Sequence, residues 1–329
     1  MAEFFVSYNF RRQGVATEAV RQIFNVWHIK YHKANTASVV LWTKIAKMYD
    51  KNAKLCIGDE PLSETEQRQA HCFLKLNKGI RFMNYPKMII FDYGHTLLYE
   101  PNWNTERGNE ALLNYAVKNP NNRTVEDITK GAELIFGKHI AKVRKLGYDI
   151  SGHIAHRTLY DYLGIEFSLT PVEMETVFWD NASSGAIMPG ADKMLDYLKQ
   201  NGIRTAVISN LLWSGEALTK RLNRLLPGNQ FEFVMTSSDY FICKPNRIVF
   251  DIALQKAGLS AEDVWYCGDH PQNDVEGAAQ VGIFPVWFNN SIDKDYIDRA
   301  NEKQPQCDHL YIHEWDEMIE VLDNLKTKR

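Results

Sequence analysis

The run from Met88 to Phe91 is entirely apolar and ends directly at Asp92. Such a run is typical of a short strand buried on both faces, as the strands of parallel sheets are. Ligands of these sheets bind beyond the carboxyl ends of the strands, so Asp92 is predicted to lie at a functional edge. Its carboxylate has two interpretations there: a turn residue that accepts backbone hydrogen bonds, or a nucleophile or Mg²⁺ ligand.

Three later stretches repeat the pattern of an apolar strand followed by polar side chains. Residues 205–210 end in Ser209 and Asn210, residues 241–245 contain Lys244, and residues 264–274 contain Asp269 and Asp274. Because strand ends of a parallel sheet meet at one edge, these groups are expected to gather around Asp92. Carboxylates with a lysine suit a phosphoryl group, since Mg²⁺ and an ammonium neutralise the charges that otherwise keep a carboxylate nucleophile away.

The order and spacing of these four motifs resemble those of the haloacid dehalogenase-like hydrolase superfamily, over roughly residues 83 to 329. The resemblance implies that Asp92 attacks phosphorus and becomes a phosphoaspartate. It also implies that the transferring group is bound by Ser209, Asn210, Lys244 and Thr96, and that Mg²⁺ is held by Asp92, the Gly94 carbonyl, Asp269 and Asp274. A Mg²⁺-dependent phosphatase that acts on a small phosphorylated metabolite is therefore expected.

Gly94 departs from the family pattern, which usually has a second aspartate here to protonate the leaving group and later activate water. Positioned acid–base catalysis is worth roughly 10²–10⁴ in rate, so without a substitute the enzyme is expected to favour leaving groups that need no proton. His95 is the nearest substitute, because histidine exchanges protons near neutral pH. Two alternatives stay open: C–P or C–halogen cleavage, as in other members that lack the acid, and a catalytically weak binding or scaffold protein.

The predicted fold is α/β, a doubly wound parallel sheet with an inserted helical cap. The core is expected over residues 83–100 and 186–329 and the cap over about residues 101–185, because the interval before the Ser209 strand is too long for a simple crossover. Apolar spacing of three and four predicts cap helices over residues 106–117, 125–145, 151–163 and 171–179. Core helices are expected over residues 192–201, 246–257, 275–280 and 315–325, with a late strand over residues 283–288.

Residues 1–82 contain a predicted strand over residues 2–6 and a basic turn that leads into a helix. A helix N-terminus after such a turn offers free N–H groups to a pyrophosphate. Arg11, Gly14 and Ala16, beside Arg12, resemble the CoA-binding loop of GNAT-type acetyltransferases, which implies a small α+β half domain. The sequence begins directly before this loop, and Trp42 replaces the tyrosine that the family often uses as general acid. A remnant or docking module is therefore favoured over an acetyltransferase that uses CoA or acetyl-CoA.

Composition bears on partners and location. A net charge of −3 and a pI near 6.4 give no basic surface for nucleic acid or an anionic membrane, so neither partner is expected. The five cysteines lack C-x-x-C spacing, which argues against a disulfide framework or a thiolate zinc site and fits a reducing cytosol. No window reaches the ~18 apolar residues of a membrane span, so a cytoplasmic protein is predicted. An incomplete N-terminal sheet exposes an edge, which either the hydrolase-like domain or a second chain in a homodimer is expected to cover.

Overall fold

The computed structural model describes residues 27–32, 56–58, 69–74, 83–137, 139–292 and 303–327. The chain divides into two compact units, Met1–Met83 and Asn84–Arg329. The first unit contains three described strands: β1 (Trp27–His32), β2 (Cys56–Gly58) and β3 (Gln69–Leu74). They form an antiparallel sheet in which β3 lies between the other two. The predicted strand over residues 2–6 and the loop residues Arg11, Arg12, Gly14 and Ala16 lie outside the described residues.

A six-stranded parallel sheet forms the centre of the second unit. Its strands are β4 (Met88–Phe91), β9 (Arg204–Ser209), β10 (Phe231–Thr236), β11 (Val264–Gly268), β12 (Phe284–Phe288) and β13 (Leu310–Ile312). They lie in the order β10-β9-β4-β11-β12-β13, so β4 has a neighbour on each side. Every residue of β4 is fully buried, as the apolar run predicts for a strand covered on both faces. The parallel sheet is therefore confirmed, and β13 adds an edge strand that the sequence did not predict.

The segment between β4 and β9 is largely helical, as predicted, but its boundaries differ. Its helices are α1 (Thr105–Leu113), α2 (Val125–Ile135), α3 (His139–Lys145), α4 (Gly152–Leu163) and α5 (Pro171–Ala182). Capping boxes at Thr124 and Thr170 fix the starts of α2 and α5. The helix predicted over residues 125–145 is interrupted by Gly137, which has a φ of 27°. The end of the predicted first helix instead forms β6 (Ala116–Lys118), paired with β7 (Glu166–Phe167).

The two connections between this cap and the core pair with each other. They form a short antiparallel ribbon of β5 (Leu98–Tyr99) and β8 (Ala186–Ile187). The chain therefore leaves the core directly after the Asp92 loop and returns beside it.

Helices cover both faces of the core sheet. They are α6 (Ala191–Gln200), α7 (Gly215–Leu225), α8 (Ser237–Tyr240), α9 (Arg247–Ala257), α10 (Gly277–Ala279) and α11 (Trp315–Lys326), with a 3-10 turn at Ala261–Asp263. Gly258 ends α9 in the left-handed region, as its place in the sequence predicts. The helix predicted after Asp274 is a π-helical turn, Pro271–Glu276, continued by α10. Among the described helices, none is both long and apolar enough to cross a bilayer.

Candidate active site

Asp92 is held at the carboxyl edge of the sheet by the strand that precedes it. Its backbone N–H donates to Cys267 O of the neighbouring strand β11 at 2.8 Å, so the parallel pairing continues to the residue itself. The side chain is 11% exposed, so the carboxylate is largely withdrawn from solvent. A carboxylate in such a position must be compensated by a cation or by hydrogen-bond donors.

Lys244 provides that compensation. Its ammonium is buried and donates to Asp92 Oδ1 at 2.8 Å, to Asp274 Oδ1 at 2.6 Å and to the Tyr266 hydroxyl at 2.8 Å. All three donors of the ammonium are therefore used. One cation thus joins the nucleophile candidate to an acid in the π-helical turn that follows β11.

The backbone of Lys244 is fixed by the tip of β9. Asn210 Nδ2 donates to the carbonyl of Lys244 at 2.9 Å, and the N–H of Lys244 donates to Asn210 Oδ1 at 2.8 Å. Residues 241–245 were predicted as a strand with a polar tip, but they form a loop in which Ile242 makes a single bridge to Tyr148. Asn210, predicted to bind phosphate, therefore contacts the backbone that carries the lysine.

Asp92, Asp269 and Asp274 form a compact acidic cluster. One carboxylate oxygen from each lies within 4.8 Å of the others, and all three residues are buried. Gly268 allows this approach, because a Cβ atom there would lie 2.3 Å from Asp274 Cγ. The cluster brings three negative charges to the ammonium of Lys244, and this excess suits a divalent cation. Mg²⁺ takes carboxylates together with waters and substrate oxygens, so the residues fit Mg²⁺.

Asp274 has a donor at each of its carboxylate oxygens. Its Oδ1 accepts from Lys244, and its Oδ2 accepts from the backbone N–H of His270 at 2.9 Å. Both oxygens already have donors, so this carboxylate is oriented by the protein itself. Its geometry suits a role in placing Lys244 as well as in holding a cation.

Burial and neighbouring charges shift the pKa values of Asp92, Lys244 and Tyr266. Burial, partly offset by Lys244, raises the pKa of Asp92 above its ordinary value. Burial alone would lower the pKa of Lys244, but Asp274 and Asp92 outweigh it and the pKa is raised. Burial also raises the pKa of Tyr266 well above its usual range. Lys244 therefore stays charged and Tyr266 stays a neutral phenol near pH 7.

Tyr266 is a site residue that the sequence analysis missed. Its hydroxyl donates to Ile208 O at 2.9 Å and lies 3.3 Å from Asp274 Oδ1, in addition to accepting from Lys244. The available signal was a phenol in the middle of a fully buried strand that ends at Gly268, directly before Asp269, since buried hydroxyls need partners.

The remaining predicted residues have different places. Ser209 is buried at the end of β9, and its side chain, after Lys244, helps to limit the rise in the pKa of Asp92 that burial causes. Thr96 is fully buried, and its hydroxyl has no partner within the described ranges.

His95, the predicted substitute for the missing acid, has a φ of 51°. Its carbonyl accepts from Asn290 Nδ2 at 2.7 Å, and its ring centroid lies 6.4 Å from that of Tyr99. At Gly94, a Cβ atom would meet no atom of the described chain within 4 Å, so a side chain there would enter open space.

Residues 179–288 match the family model of haloacid dehalogenase-like hydrolases. This part of the chain is therefore similar to hydrolase domains of that type. The match includes Ser209, Lys244, Asp269 and Asp274, and it begins after Asp92.

Curated relatives include several phosphatases. A glyceraldehyde 3-phosphate phosphatase of Pyrococcus furiosus is 30% identical over 138 residues, which is 41% of this chain and 54% of the relative. A phosphoserine phosphatase of Thermus thermophilus is 26% identical over 120 residues, 36% of this chain and 47% of the relative. The chain thus spans about half the length of these relatives. A crystal structure of a 2-haloacid dehalogenase from Pseudomonas syringae pv. Tomato has a TM-score of 0.48 and 21% identity, over 73% of this chain and 99% of that chain.

Proposed function

We propose that the second unit is a Mg²⁺-dependent phosphatase of small phosphorylated metabolites that works through a phosphoaspartate on Asp92. The observation that carries this proposal is the buried ammonium of Lys244, which bridges Asp92 and Asp274 inside a cluster of three carboxylates. Phosphoryl transfer to a carboxylate needs this combination, because positive charge must offset both the nucleophile and the phosphoryl oxygens. The phosphatase relatives agree with this chemistry.

In the proposed reaction, an Asp92 oxygen attacks phosphorus and the bond from phosphorus to the leaving oxygen breaks. Water then attacks the phosphorus of the phosphoaspartate, the bond to Asp92 breaks, and inorganic phosphate leaves with the carboxylate restored. Lys244, beside Asp92, would offset the negative charge of the transferring group, and Ser209 would help to bind it. Mg²⁺, bound by Asp92, Asp269, Asp274 and the Gly94 carbonyl, would supply positive charge to the phosphoryl oxygens.

Hydrolysis of p-nitrophenyl phosphate, acetyl phosphate, glyceraldehyde 3-phosphate and phosphoserine, with and without Mg²⁺, tests this proposal. We expect Mg²⁺-dependent release of phosphate by the wild type and a loss of at least about 10³-fold in Asp92→Asn. Asp251→Asn is the matched control, since Asp251 is a half-exposed surface acid on α9 that pairs with Arg247. Its turnover should equal that of the wild type.

Absence of turnover on every phosphate, with the wild type folded, would contradict the phosphatase proposal. Activity that survives in Asp92→Asn would contradict the proposed phosphoaspartate intermediate. Binding of CoA by the loop of Arg11, Arg12, Gly14 and Ala16, a homodimer and a cytoplasmic location stay predictions from the sequence.

A further inference from the structure

Arg221 is a buried cation away from the carboxylate cluster, on the core helix α7. Its side chain is 2% exposed, yet each of its three guanidinium nitrogens has an acceptor. Nη1 donates to Asp180 at 2.7 Å, Nη2 to Glu100 at 2.5 Å and to Ser183 O at 2.9 Å, and Nε to the Tyr93 hydroxyl at 3.0 Å. A planar guanidinium used in this way fixes the relative positions of its partners.

Three of these partners belong to the connections between cap and core. Glu100 follows β5 on the way out of the core, Asp180 lies in the last turn of the cap helix α5, and Ser183 begins the return. The return passes directly over the guanidinium, since a Cβ atom at Gly185, which has a φ of 69°, would lie 2.7 Å from Arg221 Nη2. One side chain of the core therefore holds both connections.

The fourth partner, Tyr93, is the residue after the proposed nucleophile. Its hydroxyl donates to Glu100 while it accepts from Arg221. Its backbone carbonyl accepts from the N–H groups of Leu97 and Leu98 at 3.0 and 3.1 Å, which closes the loop that begins at Asp92. Tyr93 thus joins the nucleophile loop to the polar cluster of Arg221, Glu100 and Asp180.

Trp179 of the cap completes the connection. Its ring lies edge-on to Tyr93 with centroids 5.5 Å apart, and the Arg221 guanidinium lies 4.7 Å from the Trp179 centroid. Its Nε1 donates to Glu100 at 3.0 Å. A displacement of α5 would therefore disturb the acceptor that Tyr93 and Arg221 share.

We propose that Arg221 and Tyr93 are positioning residues that transmit the placement of the cap to the loop that carries Asp92. The proposal rests on the phosphatase function proposed above, because it assigns these residues to the orientation of that nucleophile. Neither residue touches the reacting atoms. Their effect should therefore appear in kcat rather than in KM.

Tyr93→Phe and Arg221→Lys test the proposal against Arg224→Met. Arg224 lies one turn further along α7 and also contacts Asp180, at 2.8 Å, and Ser184 O, at 3.1 Å, but its contacts lie on the outer side of the connection. We expect kcat to fall about tenfold in Tyr93→Phe and in Arg221→Lys with KM within about twofold of the wild type. Arg224→Met should keep kcat within about twofold. The double variant Arg221→Lys, Tyr93→Phe should be no slower than the slower single variant, because the two residues act as one unit.

Amide hydrogen exchange at Leu97 and Leu98 gives a readout that needs no turnover. Both amides should exchange faster in Tyr93→Phe and Arg221→Lys and at the wild-type rate in Arg224→Met. If the wild type hydrolyses no phosphate ester, the proposed phosphatase function is wrong. The exchange rates still decide whether Arg221 and Tyr93 hold the loop that carries Asp92. The proposal would be overturned if Tyr93→Phe kept the wild-type kcat and the wild-type exchange rates. It would also be overturned if the losses of kcat were additive in the double variant, or if Arg224→Met lost as much kcat as Arg221→Lys. Tyr93→Phe keeps the ring and its packing, so it separates positioning from a failure to fold.

Discussion

Lys244 shows how a charge is accommodated inside this core. A buried ammonium is costly to desolvate, and here two carboxylates and a phenol receive its three N–H groups. The two carboxylates in turn depend on this cation, because Asp92 and Asp274 are also buried and both accept from Lys244. Removal of the lysine would leave two uncompensated carboxylates.

We therefore expect Lys244→Met to lower the free energy of unfolding by about 3–5 kcal/mol in Mg²⁺-free buffer near pH 8. Urea denaturation followed by circular dichroism measures this change. Lys220→Met is the control, since Lys220 is half-exposed and pairs with Glu216 on the surface of α7; its effect should stay within about 1 kcal/mol. A loss below about 1 kcal/mol for Lys244→Met would show that the carboxylates do not need this cation.

The open space at Gly94 leads to a second prediction. An aspartate side chain fits there without displacing described atoms, and it would place an acid where the family usually has one. Gly94→Asp should therefore raise kcat for alkyl phosphates, whose leaving groups need a proton, by about 10²-fold, with little gain for acetyl phosphate. Gly94→Asn has nearly the same shape but donates no proton in exchange, so it should show no such gain. Equal kcat values for both variants and the wild type would mean that the lack of a proton donor at this position does not limit the reaction.

At the scale of the elements, apolar spacing predicted that cap helices exist but not where each one ends. Residues 125–145 keep a helical pattern through Phe136 and Gly137, and the break there depends on a positive φ that only the folded cap imposes. Ala116–Lys118 pairs with Glu166–Phe167, about 50 residues away, which no local pattern could indicate. The helix predicted from Pro171 does begin there, because proline suits the first turn of a helix.

His156 of helix α4 gives a prediction for the cap. Its ring lies 5.5 Å from the Trp213 centroid, and burial together with the charge of His153 lowers the pKa of His156 to about 4. A histidine whose pKa is lower in the folded state stabilises the fold above its unfolded pKa near ~6.5 and loses that contribution as the pH falls toward about 4. The free energy of unfolding of the wild type should therefore fall more steeply between pH 6.5 and 4.5 than that of His156→Phe. Parallel pH profiles of the two proteins, measured by urea denaturation, would contradict this expectation.

At the scale of the whole molecule, three of the residues found from the sequence share one property. Asp92 and Asp269 directly follow strands and Ser209 ends one, so the parallel topology brings them to one edge. Lys244 lies in a loop shortly before helix α9, where Asn210 at the tip of β9 holds its backbone. Arg221 and Tyr93 lie 128 positions apart in the sequence, and their contact depends on how the cap connections cross α7. Pairings of that kind are set by tertiary packing, which neither periodicity nor motif spacing encodes.

The second unit contains a complete hydrophobic core, which leads to the last prediction. Its central cluster joins β4, β9, β10 and β11 to helix α9, with Met88, Ile90, Phe250 and Tyr266 among its fully buried members. Every proposed catalytic and metal-binding residue also lies in this unit. The backbone near its start is tied to the same sheet, because Trp265 Nε1 donates to Asn84 O at 3.1 Å and Lys87 N to Asp263 O at 2.8 Å.

A chain of residues 83–329 should therefore fold cooperatively and keep kcat within about twofold of the full chain, since single domains of this size supply their own core. Differential scanning calorimetry and the phosphate-release assay measure the two properties. A matched chain of residues 98–329 lacks β4 and Asp92 and should be inactive and poorly packed, with weak near-ultraviolet circular dichroism. If residues 83–329 also lost the sharp thermal transition, while the full chain kept it, the first unit would have to contribute to the stability of the hydrolase domain, and an independent core would be the wrong description of this molecule.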